Sequence, residues 1–144
     1  MAEPRPPVIL SLPARLEEGR RISEALSRAA GEASLSQGEL IDLDLAVAEA
    51  ANNIVLHGYG GDAGQSFQVT IRVRKDSLVV ELEDNGRPIP AEQLNSRGPA
   101  PLDAECGRGF GIIHACVDSL DYGSEGGTNR LTLVKNRSGR AAGP

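Results

Sequence analysis

Tryptophan is absent from this 144-residue chain, and aromatic residues make up only 3% of it. That leaves little from which to build the stacking surface that single-stranded nucleic acid needs. Positive charge is also scarce: 15 Lys and Arg stand against 20 Asp and Glu, a net charge of −5, which argues against general affinity for nucleic acid or an anionic membrane. No window approaches the roughly 18 to 20 apolar residues of a membrane span. Only two cysteines occur, Cys106 and Cys116, and the first residues lack the basic stretch and apolar run of a secretory signal. The expectation is a cytoplasmic protein with reduced thiols, both cysteines serving as small apolar residues. Its partner should be a protein or a small molecule, with no direct nucleic acid and no membrane.

What is present reads as one domain over residues 8–136, with flexible tails at 1–7 and 137–144, where Pro, Gly, Ala and Arg replace any apolar period. "VILSL" (8–12) predicts a strand stopped by Pro13. Leu16, Ile22, Ala25, Leu26 and Ala29 predict an amphipathic helix from Arg15 to about Ala30, closed by Gly31. Ser36 followed by Glu39 is a capping-box signature for a second helix. Its apolar stripe is read through Ile41, Leu45, Ala48 and Val55, and Gly58 ends it. Phe67, Val69, Ile71 and Val73, then Leu78, Val80 and Leu82, alternate with polar residues on either side of "RKDS", the pattern of an antiparallel hairpin with one buried face. Residues 85–109 hold four prolines and little period, and a connection that long in a compact domain is usually functional or disordered. A helix over 110–120 and a strand over 129–136 complete the order β-α-α-β-β-loop-α-β, an α+β two-layer sandwich.

Three clusters could carry chemistry. Glu49 and Asn53, in "EAANNIVLHGY", stand at i and i+4 and share one helix face. Asn52 reads as a polar helix-face residue and His57 as a cap of the helix end. "DNGRP" (84–88) lies where the second hairpin strand runs out. It is either an ordinary Asx turn or a carboxylate placed to accept a hydrogen bond from an exocyclic amine, with glycine letting a flat ring approach. "GRGFGI" (107–112) sets glycines at 107, 109 and 111 before a helix, where free amides and the helix dipole suit phosphate. It is neither a dinucleotide fingerprint nor a Walker A loop.

In this fixed order, with the closing "GGTNRLTL", the clusters resemble the nucleotide-binding core of the histidine kinase-like (GHKL, Bergerat-fold) ATPases. Within that superfamily the chain resembles the anti-sigma factor serine/threonine-protein kinases over Val8 to Asn136, most specifically in "EAANNIVLHGY". The resemblance implies a mixed, mostly antiparallel sheet covered on one face by about three helices. It implies ATP and Mg2+ as cofactors: Asn53 as the metal ligand, Asp84 holding the adenine amine and Gly86 letting the base sit against its loop. Gly107, Arg108, Gly109, Phe110 and Gly111 would line the phosphate end beneath a lid of residues 90–106. Thr128 would assist at the adenine pocket, and Glu49 would be the general base. Arg108 could meet the γ-phosphate or remain solvated. The implied partners are an anti-anti-sigma (STAS) protein, phosphorylated on serine, and a sigma factor, with a homodimer formed through the sheet side. Two functions stay open: a kinase, which needs the base, or a non-catalytic binding module that ATP gates.

Overall fold

The structure, a computed structural model, describes residues 6–95 and 108–138. Alternation of apolar and polar residues does produce the central hairpin, β2 (Ser66–Val73) and β3 (Ser77–Asp84). Around it lie β1 (Val8–Pro13), β4 (Ser119–Glu125) and β5 (Thr128–Asn136), in the sheet order β1-β2-β3-β5-β4. Among the described residues every pairing is antiparallel, so the sheet they form is not mixed. Phe67, Val69, Ile71, Leu78, Val80, Leu82, Leu131 and Leu133 are buried on one face, where each large side chain contributes about 1.5–3 kcal/mol.

That face is covered by α1 (Gly19–Glu32), α2 (Gln37–Asn53) and α4 (Arg108–Cys116), while α3 (Ala91–Leu94) is a single turn. In α1, Ile22, Leu26, Ala29 and Ala30 face the core. Gly31 lies inside the helix and does not stop it. The chain turns at Ser34, with φ 61°, where the amides of Leu35 and Ser34 return to the carbonyls of Ala30 and Gly31 at 3.0 and 3.3 Å. This is a Schellman ending with serine in glycine's usual place.

The capping box at α2 is present: Ser36 N donates to Glu39 Oε1 at 2.8 Å, and Glu39 N to Ser36 Oγ at 3.1 Å. Glu39 also accepts from the Ser138 hydroxyl and, at 2.8 Å, from the Ser138 amide. The Ser138 hydroxyl is the main cause that holds its carboxyl down at about 2. The buried face of α2, however, is Leu43, Ala46, Val47, Ala50 and Ala51. Ile41 and Leu45 are 60% and 45% exposed, and Ala48 is exposed too, so the expected stripe faces solvent apart from Val55.

The largest departure is β4. The helix expected over 110–120 ends at Cys116, and the chain re-enters the sheet as an edge strand beside β5. Asp118 fixes the corner: its amide donates to Val134 O at 2.8 Å, and its Oδ2 accepts from Asn136 N at 2.7 Å. Gly126 and Gly127, with φ of 62° and 84°, then make the tight turn that matches strand twist. Cys116 is a free, buried thiol, as the sequence suggested; Cys106 lies outside the described residues. No described helix is long and apolar enough to cross a membrane.

Candidate functional site

The candidate site begins where α2 stops being α-helical. After Asn53 the chain widens into a π turn, Ile54–Gly58, closed by Tyr59 N donating to Ile54 O at 2.9 Å. Such turns are rare and concentrate at functional sites. This one sets Asn53, Ile54, His57 and Gly58 along one side of a cavity of about 240 Å3. His57 is therefore part of the cavity wall rather than only a cap, and its carbonyl accepts from Arg87 Nη2 at 3.1 Å. Opposite stand Arg87, Pro88, Ile89, Pro90 and Gln93, with Asp84 also lining the cavity.

Asp84 is 9% exposed and tightly held. Its Oδ1 accepts from Gly86 N at 2.8 Å and from Asn129 Nδ2 at 2.9 Å. Its Oδ2 has no protein partner among the described residues, so this oxygen is free for a donor in the cavity. Asn129 Nδ2 also donates to Gly86 O at 2.9 Å, and its Oδ1 accepts from Ser124 Oγ at 2.7 Å. Gly86 is required by close packing: a Cβ there would lie 2.5 Å from Gly58 O. Arg87 N donates to that same carbonyl at 2.9 Å. Tyr59 braces the turn from outside, donating to Ser66 O at 2.7 Å and accepting from Asn85 N at 2.8 Å; burial pushes its phenol up.

Glu49 and Asn53 do share a face, and it meets the start of α4. A Cβ on Gly109 would come within 3.0 Å of Glu49 Oε1 and 3.3 Å of Asn53 Nδ2. Asn53 Nδ2 is buried with no hydrogen-bond partner. Buried polar groups are rarely left unpaired, and this one marks a place where a polar ligand fits. The residues fit Mg2+ through oxygens only: the Asn53 Oδ1, with its amide turned toward the cation, and the neighbouring Glu49 carboxylate would be the protein atoms to hold it, with phosphate and water completing its six. Nothing among the described residues gathers three or more His, Cys, Asp or Glu for a metal held by protein alone.

Other sequence-predicted residues fall differently. Phe110 is fully buried in the core, so only its backbone is available to a ligand. Gly111, half-buried, follows it in α4. Gly107, the Arg108 side chain and most of the expected lid lie outside the described residues. Thr128 lies on the open face of β5. Its hydroxyl accepts from Asn85 Nδ2 at 3.0 Å, and it lines a groove on the open side of the sheet with Arg130 and Thr132. The inward residue is its neighbour Asn129, buried beside Asp84, because strand pleating sends successive side chains to opposite faces. Asn129→Leu should destabilise the fold by about 1–3 kcal/mol, the cost of unpairing the buried groups that Asn129 satisfies, while Thr128→Val, on the open face, should change it little. Thermal unfolding of both variants checks this.

A five-stranded antiparallel sheet with helices on one face, and a cavity between an Asn-bearing helix and a strand-end Asp-x-Gly, is the layout of a histidine kinase-like ATPase domain. The chain belongs to this family, whose model matches residues 12–135. Serine-protein kinase RsbW of Listeria innocua is 31% identical over 144 residues, covering 94% of this chain and 92% of that protein. Anti-sigma F factor of Clostridium perfringens is 31% identical over 104 residues, 69% of this chain and 73% of that protein. Among solved structures, the RsbU and RsbW domains of a Mycobacterium tuberculosis protein align with a TM-score of 0.63 at 19% identity, over 92% of this chain and 32% of that one. The SiaB-SiaC complex of Pseudomonas aeruginosa aligns with a TM-score of 0.57 at 15% identity, over 89% and 88%. At those identities the structural likeness speaks for the fold.

Proposed function

We propose that the protein is a cytoplasmic, Mg-ATP-dependent serine/threonine-protein kinase that acts as an anti-sigma factor in a partner-switching system. It binds a sigma factor in one state and phosphorylates a serine of an anti-anti-sigma (STAS) protein in the other. The observation that carries this reading is the convergence of the Glu49 carboxylate and the unpaired Asn53 amide on Gly109. A domain that only bound nucleotide would have no need of the carboxylate. The relatives named serine-protein kinase and anti-sigma F factor support the same reading.

In this reading Asp84 accepts the adenine amine on its free oxygen, and Gly86 lets the Asp84 turn form. Asn53 holds the metal, and the start of α4 at Gly109, against Glu49 and Asn53, is where the phosphates would lie. Glu49 takes the proton from the attacking serine hydroxyl. Mg-ATP supplies the transferable phosphoryl group and the charge neutralisation that such transfer chiefly needs. The exposed apolar side chains Leu16, Ile41, Leu45 and Leu56 on the helical side support a protein partner. The uncovered face of the sheet, where Ile9 is 56% exposed, suits a homodimer.

The test is to incubate the full chain with Mg-ATP and a serine-bearing STAS protein, then look for phosphoserine by mass spectrometry. Transfer is expected. Tight ATP binding with no transfer would sink the kinase reading and leave an ATP-gated binding module.

A further inference from the structure

The outer wall of the cavity packs Ile89 and Leu94 against the core, but few polar contacts fix its backbone. It runs from Pro88 through Pro90 into α3, a four-residue turn far too short to hold itself in water. Pro88 and Pro90 have no N–H, so Ile89 supplies the sole backbone donor of that stretch. This donor goes to Tyr122 Oη on β4 at 2.8 Å. At the far end of the arm, His114 Nε2 on α4 lies 2.8 Å from Leu94 O. A carbonyl only accepts, so the imidazole carries its proton there. Among the described residues these are the only hydrogen bonds that tie Pro88–Leu94 to the rest of the domain.

We propose that Tyr122 and His114 are positioning residues for the nucleotide, a two-point latch that holds the Ile89–Leu94 arm as the cavity's outer wall. This rests on the nucleotide reading of the cavity given above. Both latch points come from elements that also build the site. His114 sits on the helix whose Gly109 packs so closely on Glu49 and Asn53 that a Cβ there would lie 3.0 and 3.3 Å from their side chains. Tyr122 sits on the strand whose Ser124 supports Asn129, and through it Asp84. The arm is thereby referenced to both ends of the site at once, so losing either bond loosens the wall and leaves the residues lining the opposite side in place.

Amide hydrogen exchange on the full chain without nucleotide, and calorimetric titration with Mg-ADP, test the latch together. Tyr122→Phe removes one bond at little change of volume, and His114→Phe removes the other while keeping a flat ring of somewhat larger size. Each should speed exchange across 87–95 and weaken Mg-ADP about fivefold, the effect of losing one ordinary hydrogen bond, with exchange in β2 and β3 unchanged. His114→Gln, which keeps a side-chain N–H, should restore most of the affinity. Unchanged arm exchange and unchanged affinity in both Phe variants, in a protein that binds Mg-ADP, would overturn the latch alone. If the unaltered chain binds no Mg-ADP, the nucleotide reading falls and the positioning role with it, whatever the arm's exchange shows.

Discussion

Glu49→Gln is expected to reduce phosphoryl transfer to serine by a factor of about 10² to 10⁴, the usual worth of a positioned base, with Mg-ATP affinity retained. Glutamine fills the same space against Gly109, where the fit is close enough that a Cβ would stand 3.0 Å from Oε1. It cannot take up the proton. Glu49 forms no ion pair among the described residues, so removing its charge strands no buried partner, and the melting temperature should hold. Single-turnover transfer and nucleotide titration on the same preparation separate the two effects. Transfer at the unaltered rate would show that Glu49 is not the base.

Gly86→Ala should act in the other direction, through structure first. The added carbon would lie 2.5 Å from the Gly58 oxygen and 2.6 Å from its carbonyl carbon, and both are backbone atoms that cannot rotate away. Overpacking of this kind costs about 1–3 kcal/mol, or a fall in melting temperature of roughly 2–12 °C for a chain of this size. Relief of the clash must move the Asp84 turn, so nucleotide binding should be lost with it. Gly58→Ala is the control from the opposite side of the contact: its nearest neighbours would be 3.8 Å away, ordinary van der Waals distance. Thermal unfolding followed by circular dichroism should show a large shift for the first variant and a small one for the second. Equal shifts would mean that the close approach of the two glycines is not what fixes the turn.

The parts of this molecule legible in its sequence are those where one physical signal dominates. The β2–β3 hairpin is written in strict alternation, and all of Phe67, Val69, Ile71, Leu78, Val80 and Leu82 are buried. The start of α2 is written in Ser36 and Glu39, and the shared face of Glu49 and Asn53 follows from helical spacing. Where signals competed, size misled. Helix α2 carries apolar residues on two faces, and the large Ile41 and Leu45 suggested the buried one, but apart from Leu43 and Val47 the sheet is met by alanines, because small side chains allow close approach. Strand β4 offers little beyond Leu120 and Tyr122 as an apolar pattern, although Gly126-Gly127 was itself a hairpin signal. No local signal marks the π turn or the inward register of Asn129. Both are decided by what the chain packs against.

Asn53 has a further consequence, for the free energy of the fold itself. A buried amide nitrogen without a partner costs about 1–3 kcal/mol, set against the roughly 5–15 kcal/mol by which a whole domain is stable. An acceptor that pairs that nitrogen, such as a phosphate oxygen, recovers that cost, so folding and ligand occupancy are linked through one side chain at the junction of α2 and α4.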